Sequence, residues 1–419
     1  MKIYAVSLGC PKNSVDTECA LKEIMNADGK ASLLVGSPEE ADLLFVNTCG
    51  FIEAAVNESV DTILALGGQK RPDQSLMVMG CMVARYGKEA LEKELPEVDS
   101  FIGVYDWASC DSRTAGAGPL AATPPWRAYV KISEGCSNHC TYCLIPRLRG
   151  GQRSRPMKEI VSEARNLAKK GVKEITFVGQ DLTAYGENGA GLTELLEEIA
   201  LKADIPWIRL LYLNPAKVTS RLLDAMASHP AICQYLDIPV QHASDKVLRA
   251  MGRGYGIGLL RDLFAEARLR LPNASLRTTV MVGFPGEDQD DFEMLADFIK
   301  SQQLDHVGVF AYSDEEESAS FRMNGKVQAR TARQRKAKIM SIQARIARSK
   351  NAKKRGSVEE VLVEGFAPET NLLLMGRARF QAPDVDGVVY INEGTASAGE
   401  LVKVDITGSH IYDLVGRIA

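Results

Sequence analysis

No run of apolar residues in this sequence is long enough to cross a bilayer. The opening stretch, Met1-Lys2-Ile3-Tyr4-Ala5-Val6-Ser7-Leu8, is too short and too mixed to act as a secretory signal. These absences exclude a membrane partner and set the expectation of a cytoplasmic protein. Acidic residues are missing altogether from 322–355, where 13 Lys and Arg stand alone. Basic residues are scarce in 356–419, with 4 against 10 Asp and Glu. Residues 1–122 are also acidic, at −8, so the overall charge of −4 hides strong contrasts that bear on partners. Otherwise the composition, 45% hydrophobic and 25% charged, is that of an ordinary globular chain.

Nine cysteines are present. In a reducing compartment they are not expected to form a disulfide framework, which gives weight to metal or redox roles. Three of them share one loop, Cys136-Ser137-Asn138-His139-Cys140-Thr141-Tyr142-Cys143, spaced C-x-x-x-C-x-x-C. Thiolate is the preferred ligand of iron–sulfur clusters. A four-iron cluster needs four ligands, so three thiolates leave one iron open to bind something. Zinc is the competing reading. His139 could complete a zinc site, although its place between two of the cysteines makes the reach awkward.

A length of 419 residues suggests two or three domains. Residues 2–8, 41–48 and 75–80 read as strands, with helices at 16–27 and 52–66 between them, the alternation of a parallel sheet. Each strand runs into a cysteine: Cys10, Cys49 and Cys81. Sites in such sheets lie at the carboxyl ends of strands, so these three can converge. Singly, each also reads as a small buried residue. Cys19, Cys110 and Cys233 show no such pattern and read as structural. A turn-rich stretch from Thr114 to Pro125 reads as a linker. Strands then fit at 128–133, 174–179, 207–213, 235–240, 277–283 and 306–312, alternating with helices at 156–170, 191–202, 218–228, 257–270 and 289–302. Six such units suggest a parallel barrel or partial barrel, with chemistry on the loops after the strands. Residues 327–355 read as a basic helix with an apolar stripe at Ile339, Ile342 and Ile346. The final segment suits a small antiparallel barrel. The expected fold class is therefore multidomain α/β. It comprises a parallel α/β sheet domain over 1–122, a barrel with its basic helix over 123–355, and a β-barrel over 356–419.

Further candidates follow from position. Tyr142 can stack on an adenine or simply pack. Val178-Gly179-Gln180-Asp181 places polar groups at a strand's carboxyl end. The glycines of Met281-Val282-Gly283-Phe284-Pro285-Gly286 permit close approach of backbone to a ligand, or a plain turn. Asp237 through His242 and Met251-Gly252-Arg253 flank a helix, and His242 by itself reads as a hydrogen-bonded core residue. The basic run 322–355 is either a solvated helix face or a contact for RNA phosphates.

The loop around Cys136, Cys140 and Cys143 resembles that of radical S-adenosylmethionine enzymes. Gly9-Cys10-Pro11-Lys12-Asn13, Asn47-Thr48-Cys49-Gly50 and Gly80-Cys81 resemble the N-terminal domain of the methylthiotransferases, and the last segment resembles a TRAM domain. Within that family, Pro11-Lys12 is similar to the RimO-type branch, which modifies an aspartate of the twelfth protein of the small ribosomal subunit. The MiaB-type branch, which modifies adenosine in transfer RNA, usually has Gln-Met there and is the alternative. Val15-Asp16-Thr17-Glu18, Gly179 through Gly186, Ala382 through Gly387 and Tyr412-Asp413-Leu414 also resemble the ribosomal-protein branch. Ser137-Asn138 and Asp314 through Ser318 depart from its usual pattern, without loss of a cysteine. The −6 balance of 356–419 suits a basic protein substrate better than RNA.

The resemblance implies two [4Fe–4S] clusters, one on Cys136, Cys140 and Cys143 and one on Cys10, Cys49 and Cys81. It implies S-adenosyl-L-methionine held near Tyr142, Gln180, Arg253 and Gly283. A 5′-deoxyadenosyl radical would take hydrogen from the β-carbon of the aspartate, and the second cluster would deliver the methylthio group. It also implies a flavodoxin or ferredoxin as electron donor and a monomeric enzyme. Ribosomal RNA contact through the basic run stays open.

Overall fold

The structure is a computed structural model and describes residues 1–27, 32–106 and 123–419. The first part is a five-stranded parallel sheet. Its strands are β1 (Lys2–Ser7), β2 (Leu33–Leu34), β3 (Leu43–Thr48), β4 (Ser75–Gly80) and β5 (Ser100–Ile102), in the order β2-β1-β3-β4-β5. The central strand β3, LLFVNT, is buried at every position, as a strand covered on both faces must be. Helices α1 (Pro11–Ala27), α2 (Glu53–Gln69) and α3 (Cys81–Tyr86) follow β1, β3 and β4. Helix α1 begins five residues earlier than the expected 16–27. Pro11 opens it, a position where the missing N–H costs nothing, so the helix starts directly after Cys10.

The central part is built on two parallel sheets of three strands each. One is ordered Arg127–Lys131, Glu174–Val178, Trp207–Leu210, the other Tyr235–Asp237, Ser275–Val282, His306–Ala311. A parallel bridge between Ile208 and Ile232 joins them. This is the partial barrel expected, and the strands fall where the sequence alternation puts them. Aliphatic and aromatic side chains from strands and helices form its core, with Phe177, Leu210, Leu236 and Val280 all at 0–1% exposure. The long helix Ala329–Lys353 lays Ile339, Ile342 and Ile346 into that core. Most of the expected linker, and Cys110, lie outside the described residues.

The C-terminal segment is a closed five-stranded barrel. It is not wholly antiparallel, because Val389–Glu393 pairs with Leu414–Ile418 in parallel. It docks on the amino ends of the central strands, away from the cysteine loop. There Glu174 accepts from Arg209 at 2.6 Å and from Arg377 at 2.5 Å. Asp386 accepts from Tyr235 at 2.6 Å and Arg277 at 2.9 Å, and Asp384 accepts from Tyr129 at 2.7 Å and Arg127 at 2.9 Å. The acidic balance of this segment is therefore spent in part on internal pairs, and it does not face the loop. As an argument for a basic substrate it loses force.

Candidate functional site: two cysteine triads across one short helix

The strands β1, β3 and β4 are neighbours in the sheet, so the turns after them sit side by side. Those turns carry Cys10, Cys49 and Cys81. The approach is close: a Cβ on Gly50 would lie 2.7 Å from the Cys81 carbonyl and the Met82 nitrogen, which excludes any larger residue there. The three thiols sense one another. Burial, and then the nearby Cys10 and Cys81, push the Cys49 thiol up to about 11 despite a backbone hydrogen bond. Burial works against ionisation of Cys10 too, but Lys12, Arg149 and the backbone amides of Asn13 and Lys12 bring it below its ordinary value.

The second triad sits at the carboxyl end of the first barrel strand. Gly135 brings the chain against its own return: a Cβ there would stand 2.2 Å from the Gly151 carbonyl. The Cys136 N–H then donates to the Gly150 carbonyl at 3.1 Å. Asn138 donates to the Cys136 sulfur at 3.3 Å and to Asp181 at 2.8 Å. Arg253 donates to the Cys140 sulfur at 3.1 Å. Cys136, Cys140 and Cys143 all line one cavity of about 350 Å³, within the range of small-molecule sites. Burial raises the Cys143 thiol to about 12. Ligation by a metal must therefore displace protons from these thiols. Among the described residues no three such groups close on a single ion; the cysteines stand around a space.

One short helix, Ile145–Arg149, connects the triads. It begins two residues after Cys143. Leu144 and Leu148 pack on Cys81. Arg149 ends it and donates to Asn13 at 2.6 Å, Asp16 at 3.0 Å and Glu134 at 3.0 Å. Lys131 closes the network, bonding Glu134 at 2.6 Å and also Asp16. Burial opposes ionisation of Glu134, yet Lys131 and Arg149 bring its carboxyl down to about 2. The cavity itself crosses between domains, since Phe51 and Ile52, just after Cys49, form part of its wall.

The other expected residues divide. Gln180 lines the cavity, donates to Glu134 at 2.7 Å, and keeps a buried side-chain oxygen without a partner. Tyr142 lines the cavity too, while packing beside Met251 and Phe284. Arg253 is also in the wall, but its guanidinium is engaged by Cys140, Tyr255 and the Pro239 carbonyl. Gly283 departs from its expected place. It is not in the cavity wall, and its close approach is to the long helix, where a Cβ would meet that of Ala332 at 2.6 Å. His242 is fully buried, accepts from the Ser244 amide at 3.0 Å, and is held neutral by burial, which lowers it to about 4. Cys19 and Cys233 are both buried in the core.

The sequence reading passed over Tyr212 and Glu315 as site residues; both line the same cavity, as does Gln241 from the run Asp237 through His242. Tyr212 and Gln241 have φ of 65° and 68°, uncommon for side-chain-bearing residues. No sequence signal marks this, because neither is a residue type that favours that region.

Residues 130–299 match the Radical SAM superfamily, residues 2–103 the Uncharacterized protein family UPF0004, and residues 356–419 the TRAM domain. The chain is 45% identical to the ribosomal protein uS12 methylthiotransferase RimO of Myxococcus xanthus, over 99% of this chain and 91% of that one. It is 43% identical to the RimO of Desulfotalea psychrophila over 100% and 99%. The chain belongs to the RimO family. Its fold is also that of more distant solved radical enzymes. The radical S-adenosylmethionine methyltransferase TsrM from Kitasatospora setae aligns with a TM-score of 0.54 at 13% identity, over 74% of this chain and 71% of that one. In this RimO-family chain the UPF0004 match carries Cys10, Cys49 and Cys81, and the Radical SAM match carries the loop triad.

Proposed function

We propose that this chain adds a methylthio group to the β-carbon of an aspartate of ribosomal protein uS12, using two [4Fe–4S] clusters and S-adenosyl-L-methionine. The observation that carries this reading is the pairing of two cysteine triads across the helix Ile145–Arg149, with one cavity touching both domains. Cys136, Cys140 and Cys143 would hold one cluster and Cys10, Cys49 and Cys81 the other. The donor sets fit: all are thiols, each set is one ligand short of four, and cationic groups stand beside both, Arg253 at Cys140 and Arg149 near Cys10 and Cys81. When bound, these groups supply a carbon-centred radical and a transferable sulfur, chemistry that no acid–base residue provides at an unactivated C–H bond.

The chain's own residues bind and orient. The unpartnered side-chain oxygen of Gln180 offers an acceptor to the ammonium of the cosubstrate. Tyr142 offers a ring face at the cavity wall. Arg253 neutralises charge at Cys140. The sheet domain 1–122 would serve sulfur delivery and the barrel with its helix 123–355 radical generation, while the C-terminal barrel 356–419 braces the opposite end of the central strands. We place the enzyme in the cytoplasm as a monomer reduced by a flavodoxin or ferredoxin, with ribosomal RNA met by the exposed basic residues of 322–355. Mass spectrometry of uS12 from a strain lacking this gene tests the reading. Loss of a methylthio mass from one aspartate, restored by the gene, is expected; an unchanged modification refutes it.

A further inference from the structure

Lys12 is 9% exposed, yet among the described residues its ammonium has no hydrogen bond and no ion pair. Burying a charge without a partner is costly. The nearest carboxylates are already committed: Glu134 to Lys131 and Arg149, and Asp237 to Arg277 and the Tyr212 amide. What Lys12 does touch is an aromatic face, its Nζ lying 3.8 Å from the centre of the Tyr212 ring. Such contact gives a cation partial compensation and leaves its N–H donors free.

Tyr212 is one of the residues that wall the cavity shared with Cys136, Cys140 and Cys143. Lys12 itself stands two residues after Cys10 and opens α1 with Pro11. Lys12 is therefore a nearly buried lysine beside Cys10 of one triad, set against Tyr212, whose ring it shares with the wall of the cavity that holds the other. The other cations near the cavity are occupied, Arg253 by Cys140, Tyr255 and Pro239, and Lys217 by Asp181.

We propose that Lys12 is the residue that receives the carboxylate of the target aspartate. This rests on the proposed reaction. The carbon to be modified is bonded directly to that carboxylate, so a single charge-assisted hydrogen bond fixes it to within one bond length. Held on Lys12, it would stand beside Tyr212 at the edge of the cavity that Cys136, Cys140 and Cys143 line. The same contact selects aspartate over its neutral amide, because only the carboxylate repays removal of its water inside a closed site.

The test uses the reconstituted holoenzyme with recombinant uS12 carrying either Asp or Asn at the target position. Affinity is measured without reductant, and iron content and the visible spectrum are recorded for each variant. Wild type is expected to bind the Asp form about tenfold or more better than the Asn form. Lys12→Met should lose that preference, with affinity for the Asn form and iron content unchanged, and Lys12→Arg should keep part of it. Equal weakening of both forms, an unchanged preference, or loss of iron in Lys12→Met would overturn the assignment, and so would a wild type indifferent to Asp or Asn. If wild type bound but never modified uS12, the proposed reaction would fail instead, and the preference for Asp would still judge Lys12.

Discussion

Arg149, at the end of the helix that follows Cys143, holds Asp16, on the helix that follows Cys10, at 3.0 Å with both side chains 1–2% exposed. This contact spans two domains and 133 positions of sequence. It fixes the distance between the triads through rigid elements at both ends, as a site with divided labour requires.

Arg149→Met should consequently be severe. It leaves Asp16 and Glu134 buried with Lys131 as their remaining cation. Breaking one partner of a buried network costs about 3–5 kcal/mol. Chemical denaturation should show a loss of that order. A loss below about 1 kcal/mol, the scale of an exposed pair, would mean that the network does not brace the site.

Gly135→Ala acts on one triad only. The added methyl would stand 2.2 Å from a backbone oxygen, so the loop must shift. Iron after anaerobic reconstitution should fall from about eight per chain toward about four, with the N-terminal triad still loaded. Full iron in this variant would show that the loop tolerates the shift.

Acid should loosen the docked C-terminal barrel. Burial opposes ionisation of Glu174, but Arg377 and Arg209 bring its carboxyl from 4.5 down to about 2. The folded value lies below the unfolded one. Its stabilisation is thus complete above about pH 4.5 and is lost as pH falls toward about 2, an amount on the order of 3 kcal/mol. Glu174→Gln should flatten that part of the stability–pH curve measured by urea unfolding. An unaltered slope would contradict the pairing.

Much of this was legible in the sequence. Strands ending in Cys10, Cys49 and Cys81 predict a shared sheet edge because parallel strands align their carboxyl ends. The six strand–helix units predict the barrel for the same reason. Ile339, Ile342 and Ile346 do form a core stripe. Met281 of the Met281–Gly286 run lines the cavity but Gly283 does not, because glycine permits any close approach and a packing helix leaves the same local pattern as a ligand. The acidic C-terminal segment pointed to the right branch on a weak argument, because net charge does not reveal which carboxylates are paired inside. The Arg149–Asp16 contact had no signal, since its partners belong to different domains and the Val15–Glu18 run that contains Asp16 does not say what it pairs with.

The division of labour is tested most directly by two cysteine variants of the reconstituted enzyme, assayed for 5′-deoxyadenosine and for methylthiolated uS12. Cys140→Ala should abolish both products. Cys49→Ala should still release deoxyadenosine while leaving uS12 unmodified. Equal loss of deoxyadenosine in the two variants would contradict the assignment of radical formation to one triad and sulfur delivery to the other.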